Sequence, residues 1–77
     1  MTKEIITESM LSSIAVQLLR EQPGCRMAKS VEIDVTAWDW SLGLIVAPGT
    51  NPRDISYGRI IVERDMKTKY DLARRAD

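Results

Sequence analysis

The chain has 77 residues, no net charge, one cysteine and no histidine. This length predicts one small domain over residues 1–77, whose core is marginal without a staple or a partner. The composition excludes an internal disulfide and a Cys/His zinc site, and zero net charge argues against a general binder of nucleic acid or anionic membranes. No apolar run approaches the ~18 residues that span a bilayer, and Glu4 and Glu8 interrupt the layout of a signal peptide. We therefore predict a cytoplasmic protein with Cys25 reduced.

The first predicted element is a helix from Thr2 to Gln22, with Thr2 as its cap. Apolar residues recur every four positions, and a neighbouring row widens the stripe that they form. The first row is Ile6, Met10, Ile14 and Leu18, and the second is Leu11, Ala15 and Leu19. Pro23-Gly24 ends the helix, since a residue that precedes proline avoids the helical region.

Residues 31–46 form the stretch around which the chain is organised, a predicted β-hairpin. Residues 31–38 alternate apolar and polar side chains, and residues 41–46 are apolar and partly β-branched. The turn is predicted at Asp39-Trp40, in a two-residue loop or in a four-residue loop over 38–41. Asp-Trp is not a favoured two-residue turn, which favours the longer loop.

Both loops give one register, in which Ala37 faces Leu42, Val35 faces Leu44 and Ile33 faces Val46. One face of the hairpin is then the predicted core face. It carries Val31, Ile33, Val35, Ala37, Leu42, Leu44 and Val46. The opposite face carries two acidic residues at one end and Trp38 with Ile45 at the other.

The last segment begins with a strong helix signal, because Asn51 is a good cap and Pro52 suits the first helical position. We predict one long helix, supported by opposite charges at four-residue spacing. One face of this helix is predicted to contain Ile55, Val62, Met66, Lys69, Tyr70 and Ala73, with Gly58 at its edge. The alternative is a third strand at 59–64 followed by a short helix at 66–76, because residues 60–62 are β-branched.

The predicted fold class is therefore α+β, in an αββα order, with a two-stranded antiparallel hairpin packed on two helices. The alternative is αβββα. A lone hairpin is barely stable, and two helices cover only one of its faces. We therefore expect a homodimer that extends the sheet through strand edges or stacks the exposed faces.

Three short features support a resemblance. These are Gly24-Cys25 after the first helix, Trp40 near the hairpin turn and Tyr70-Asp71-Leu72 near the C-terminus. With them, most of the chain resembles small bacterial proteins of helix–hairpin–helix plan. The resemblance favours the long C-terminal helix and implies no activity.

An interaction surface is predicted from Trp38, Trp40 and Ile45. Period two places both tryptophans on one side of the hairpin, where they can anchor a partner or stack on a ring. They can equally fold over the hairpin end as core, because aromatic residues dominate both cores and interfaces.

Two further groups are candidates for binding anions. Thr50, Asn51 and Arg53 place a loop and an arginine at a helix start, which attracts anions, although the cap explains the same residues. The C-terminal basic residues Lys67, Lys69, Arg74 and Arg75 are candidate phosphate contacts. Acids one turn away also make them a solvated helix face.

The remaining candidates are weaker. Cys25 follows a helix C-terminus, where the helix dipole disfavours a thiolate, and the chain has no histidine to activate it. Glu32 and Asp34 share one side of a strand, but two carboxylates fit a solvated face better than a cation site. We predict no metal site and no cofactor.

Together these features predict a small, non-enzymatic, homodimeric interaction or accessory module, with a protein partner possible and no membrane partner. The first alternative is a regulatory nucleic-acid binder that uses the basic C-terminal helix. The second is an anion or ligand binder at Thr50–Arg53. The argument against an enzyme is that no nucleophile–base pair is recognisable, although Asp, Glu, Lys and Tyr also serve as acids and bases.

Overall fold

The computed structural model describes residues 3–37 and 39–73. It contains two helices, a two-stranded antiparallel sheet and a separate parallel pair of short strands. The elements in chain order are β1 (Glu4–Ile6), α1 (Glu8–Arg20), β2 (Ser30–Val35), β3 (Trp40–Val46), α2 (Pro52–Lys69) and β4 (Tyr70–Leu72). The predicted α+β class is confirmed, and the observed order, βαββαβ, differs from the predicted αββα order by one further strand at each end.

Strands β1 and β4 form the parallel pair, with Ile6 opposite Leu72. The main-chain N–H of Ala73 extends the pairing by donating to the carbonyl of Ile6 at 2.7 Å. Both Ile6 and Leu72 are buried. The prediction that residues 4–6 and 70–73 continue the two helices is wrong, because the strand pairing satisfies main-chain groups of both segments while it buries Ile6 and Leu72.

Helix α1 begins at Glu8, six residues after the predicted cap. The Thr7 hydroxyl accepts a hydrogen bond from the Met10 N–H at 3.2 Å, which makes Thr7 the cap. The buried row of the helix is Leu11, Ala15 and Leu19. The row predicted to widen the stripe is thus its centre, and Met10 is exposed.

Hydrogen bonds between Thr36 and Asp39 close the hairpin turn, which lies closer to the N-terminus than the predicted turn. The Thr36 N–H donates to the carbonyl of Asp39 at 2.8 Å, and the Thr36 hydroxyl accepts from the Asp39 N–H at 2.9 Å. Trp40 consequently lies in β3 opposite Val35, and Leu42 lies opposite Ile33. The predicted turn and register are wrong because this turn uses the Thr36 hydroxyl as a hydrogen-bonding group and places the Trp40 ring in the core.

A β-bulge in β3 changes which side chains face the core. Val31 pairs with Ile45 while Ile33 pairs with Leu42, so three steps along β3 match two along β2. The bulge turns Ile45 toward the core and leaves Leu44 64% exposed. The predicted core face is therefore correct for Val31, Ile33 and Leu42. It is wrong for four exposed residues, which are Val35, Ala37, Leu44 and Val46.

Helix α2 runs without interruption from Pro52 to Lys69, which confirms the long helix and shows that the alternative strand at 59–64 is wrong. Its buried row is Gly58, Val62 and Met66. This row packs against α1, and the same helix also contacts β3. Neither this helix nor α1, the two helices of the described chain, is long and apolar enough to cross a membrane.

The core lies between the two helices and one face of the hairpin. A continuous cluster of buried apolar side chains holds the elements together. Its members include Leu11, Leu19, Trp40, Leu42, Val62 and Met66. Because helices cover only this face, the other face of the hairpin is open to solvent.

Candidate interaction surface

The predicted surface of Trp38, Trp40 and Ile45 does not form as a unit. Trp40 is 2% exposed and belongs to the core. Ile45 is half-buried against the same core, and Trp38 lies outside the described residues. Trp40 consequently stabilises the fold and offers no exposed ring to a partner.

Lys67, one of the predicted phosphate contacts, is held by the hairpin turn. Its Nζ lies 2.8 Å from Asp39 Oδ2 and 5.4 Å from the centre of the Trp40 ring. The hydrogen bond from Lys67, followed by that from the Trp40 N–H, lowers the pKa of the Asp39 carboxyl. The Lys67 charge thus faces an acid and an aromatic ring within the chain.

The other basic candidates are not brought together with Lys67. Lys69 lies one turn from Asp65, with an Nζ–Oδ2 distance of 3.3 Å. Arg74 and Arg75 lie outside the described residues. Both described lysines of the predicted group therefore have an acidic neighbour, in agreement with a solvated, charge-matched helix face.

The helix start at Asn51 uses its own hydrogen-bond donors. The Asn51 side chain accepts from the Arg53 N–H at 2.9 Å, and the Asn51 carbonyl accepts from the Asp54 N–H at 3.0 Å. Pro52 has no N–H to offer, and Asp54 adds negative charge to the first turn. Within residues 3–37 and 39–73, Thr50 Oγ1 is a buried oxygen without a hydrogen-bond partner. The N–H groups of Arg53 and Asp54 are therefore already hydrogen-bonded within the helix start.

Cys25 is buried where the loop after α1 meets the first turn of α2. Its thiol donates to the main-chain carbonyl of Asp54, with an S–O distance of 3.3 Å. Burial, reinforced by the Asp54 charge, raises the pKa of the Cys25 thiol. The geometry therefore favours a protonated thiol that joins the two helices over a reactive thiolate.

The two carboxylates of β2 are exposed, in agreement with a solvated strand face. Across the part of the chain that the structure describes, no three carboxylate or thiol side chains cluster as cation ligands do. Asp34 instead lies against β3, since a Cβ atom on Gly43 would be 2.7 Å from Asp34 Oδ2. The absence of a side chain at Gly43 thus leaves room for the Asp34 carboxylate.

The outward face of α2 carries an apolar surface that the sequence reasoning did not identify. Tyr57, Ile60 and Ile61 are 65%, 54% and 50% exposed. They lie opposite the buried row of this helix, and the exposed Arg53 and Arg64 stand one turn beyond each end. The available signal was the helical period itself, because four-residue spacing from Tyr57 to Ile61 places both on the side away from Val62.

The open face of the hairpin carries a second apolar surface beside acidic groups. Leu44 and Val46 are both exposed there because of the bulge. Glu32 and Asp34, on β2, are exposed as well. This face of the hairpin therefore combines apolar side chains with negative charge.

A groove of about 450 Å³ separates the open hairpin face from α2. Its hairpin wall contains Asp34, Gly43 and Leu44, and its helix wall contains Ser56 and Arg59. Ser56 also borders a shallow depression along α2 that includes Tyr57 and Ile60. The groove and the depression share Ser56, so Tyr57 and Ile60 on α2 adjoin the groove, which we call the β3–α2 groove.

Comparison of the chain with protein-family models, with curated proteins and with solved structures finds no match.

Proposed function

We propose that the protein is a small, non-enzymatic interaction module that works as a homodimer. The observation that carries this proposal is the exposed apolar row of Tyr57, Ile60 and Ile61 on α2. Scattered single apolar side chains are ordinary on protein surfaces, whereas a contiguous group of them marks an interaction site. Here the group also adjoins a groove, which gives a partner a shaped surface.

The composition of this row suits an interface. Tyrosine and arginine are enriched among the residues that contribute most to association, and Arg53 and Arg64 flank the apolar centre formed by Ile60 and Ile61. Removing one such side chain from water contributes about 1.5–3 kcal/mol when burial is complete. Three side chains that are half exposed or more leave a substantial part of that free energy available to association.

A second copy of the chain is the partner that we propose. A domain of 77 residues buries a smaller fraction of its surface than a larger domain does. Dimerisation by pairing of strand edges is less suitable, because side chains from both helices already form hydrogen bonds with main-chain groups of β2 and β3. The Ser12 hydroxyl donates to the Val31 carbonyl at 2.5 Å, and Glu63 Oε1 accepts from the Leu42 N–H at 2.7 Å. The exposed apolar faces are therefore a better site for dimerisation than the strand edges.

The proposal is tested by molar mass from light scattering over a wide range of protein concentration. We expect a concentration-dependent dimer, and we expect Ile60→Glu to weaken it by about 30-fold or more, which corresponds to about 2 kcal/mol at an interface hot spot. The matched control is Met27→Glu, because Met27 is similarly exposed but lies in the loop between α1 and β2.

A wild type that stays monomeric at every concentration contradicts the proposal. Equal weakening by Ile60→Glu and Met27→Glu would place the association elsewhere than on α2. Circular dichroism of both variants establishes that each remains folded.

A further inference from the structure

We infer that two copies associate about a two-fold axis that passes through the β3–α2 groove, with Asp34 of each copy against Arg59 of the other and Leu44 against Ile60. This inference rests on the proposed homodimer and specifies its geometry. It follows from the unlike chemistry of the two sides of the groove.

The two sides carry opposite charge. Asp34 lies on the hairpin wall, and Arg59 lies on the helix wall. Both side chains are exposed, and among the ion pairs of the described residues neither participates. Arg53, farther along the helix side, adds a second positive charge. Each side thus presents a charge that the opposite side of another copy can neutralise.

Both sides also carry exposed apolar side chains. Leu44 is 64% exposed on the hairpin side, and Ile60 is 54% exposed on the helix side. Tyr57 extends the apolar surface on the helix side. An interface that matches Leu44 with Ile60 buries apolar area at its centre, where association gains most, and leaves charged groups toward its rim.

A two-fold axis converts this difference between the sides into self-complementarity. In such an isologous interface, if residue i of one copy contacts residue j of the other, then j also contacts i. A chain that has an acidic apolar side next to a basic apolar side satisfies both contacts at once. The pair of Asp34 and Arg59 therefore occurs twice per dimer, and so does the pair of Leu44 and Ile60.

The Asp34 carboxylate occupies the space that Gly43 leaves beside β3. It lies against Gly43, where a Cβ atom would approach its carboxyl carbon to 2.8 Å. The bulge of β3 lies at this point and also turns Leu44 outward. The outward turn of Leu44 at the bulge thus brings the apolar contact of the hairpin side next to the acidic one.

The test exchanges charges between copies. Asp34→Arg and Arg59→Asp are prepared separately, and each homodimer would then oppose like charges twice. A mixture of the two variants restores both opposite-charge contacts in a heterodimer. We expect each variant alone to dimerise at least about tenfold more weakly than the wild type, in line with close charge pairs at interfaces. We expect the mixture to regain most of the affinity as a heterodimer.

Native mass spectrometry identifies the heterodimer by its mass, and light scattering gives the affinities. The control for Asp34→Arg is Glu32→Arg, which changes an acid on the same strand and the same face but outside the groove. The control for Arg59→Asp is Arg26→Asp in the loop after α1. Asp34→Lys and Arg59→Glu form a second exchange pair for use if a variant of the first pair is unfolded by circular dichroism.

Two results overturn this geometry without affecting the proposed homodimer. One is wild-type affinity in both charge variants. The other is loss of the dimer in both folded variants without any heterodimer in their mixture. A wild type that is monomeric at all concentrations overturns the geometry together with the proposed function. Rescue in the mixture cannot arise from contacts within one chain, because each chain in the mixture keeps its own like charges.

Discussion

Gly58 of α2 packs against the end of α1 and the loop that follows it, and replacing Gly58 by alanine tests that packing. A Cβ atom at this position would be 3.0 Å from Cys25 Sγ and 3.3 Å from Leu19 Cδ2. Both distances are shorter than the ~3.5–4.0 Å of an optimal contact. In an open helix, Gly→Ala stabilises by about 1 kcal/mol. Here overpacking costs about 1–3 kcal/mol, so we expect Gly58→Ala to be about 1 kcal/mol less stable than the wild type.

The second half of this prediction uses Cys25→Ala, which removes the nearest opposing atom. In that background only the end of the Leu19 side chain remains within 3.4 Å of the new Cβ atom. We expect Gly58→Ala to become neutral, or stabilising by up to about 1 kcal/mol. The coupling free energy between the two substitutions is then at least about 1 kcal/mol.

Urea unfolding of the wild type, both single variants and the double variant measures this coupling. For a small domain, 1 kcal/mol moves the midpoint by up to about 1 M. The reasoning is refuted if Gly58→Ala raises the stability of the wild type by about 1 kcal/mol, because the position would then behave as an open helix site.

Two further predictions concern contacts made by single side chains. Glu63→Ala removes the acceptor of the Leu42 N–H, and we expect it to lower the free energy of unfolding by about 1–3 kcal/mol in urea unfolding. Glu63→Gln keeps an acceptor and is expected to lower it less. Equal effects of the two substitutions would show that the hydrogen bond does not stabilise the fold. The Cys25 thiol is expected to react with iodoacetamide much more slowly in the folded protein than in urea. Since folding raises the pKa of Cys25, its contribution to stability is present below the pKa of the unfolded thiol. We expect that contribution to decline relative to Cys25→Ala as the pH rises above about 8.5, and a pH-independent difference contradicts this reasoning.

The features predicted correctly from sequence are those with a strong local cause. The cap at Asn51, the proline after it and the charge spacing define α2 over eighteen residues. Local alternation likewise identifies Val31 and Ile33 as core residues of β2. In these places the local pattern and the tertiary structure favour the same conformation.

The hairpin register was not predictable in the same way. The placement of the turn depends on burying Trp40, which needs the surface of the two helices, and on hydrogen bonds of Thr36. The bulge then reverses the alternation along β3, so that Ile45 turns inward and Leu44 outward. A strict period of two cannot describe a strand that contains a bulge.

The short strands at the two ends of the described chain depend on contact between distant segments. Ile6 and Leu72 are far apart in sequence and lie opposite each other in the β1–β4 pair. Three-residue strands have no detectable period of their own. The start of α1, however, has a local signal. Thr7 followed by Glu8 is a better helix start than Thr2, because two consecutive isoleucines after Thr2 favour a strand.

The helical face predicted for the last segment leaves out Tyr57, Ile60 and Ile61, and the β-branched residues among them also favour a strand. Once α2 is helical, Val62 faces the core while Ile60 and Ile61 face solvent. The exposed face of a helix is visible in its period, but the hairpin side of the groove depends on the bulge. The helix side of the proposed interface is therefore predictable from the sequence, whereas the hairpin side is not.

The most direct test of the proposed dimer is a dilution series of amide spectra by nuclear magnetic resonance. The proposed geometry predicts concentration-dependent shifts at residues 43–44 and 56–61, with Asp34 among the affected residues and β1 and β4 unaffected. Shifts confined to β1 and β4, or none up to concentrations at which light scattering detects a dimer, would contradict an interface at the β3–α2 groove.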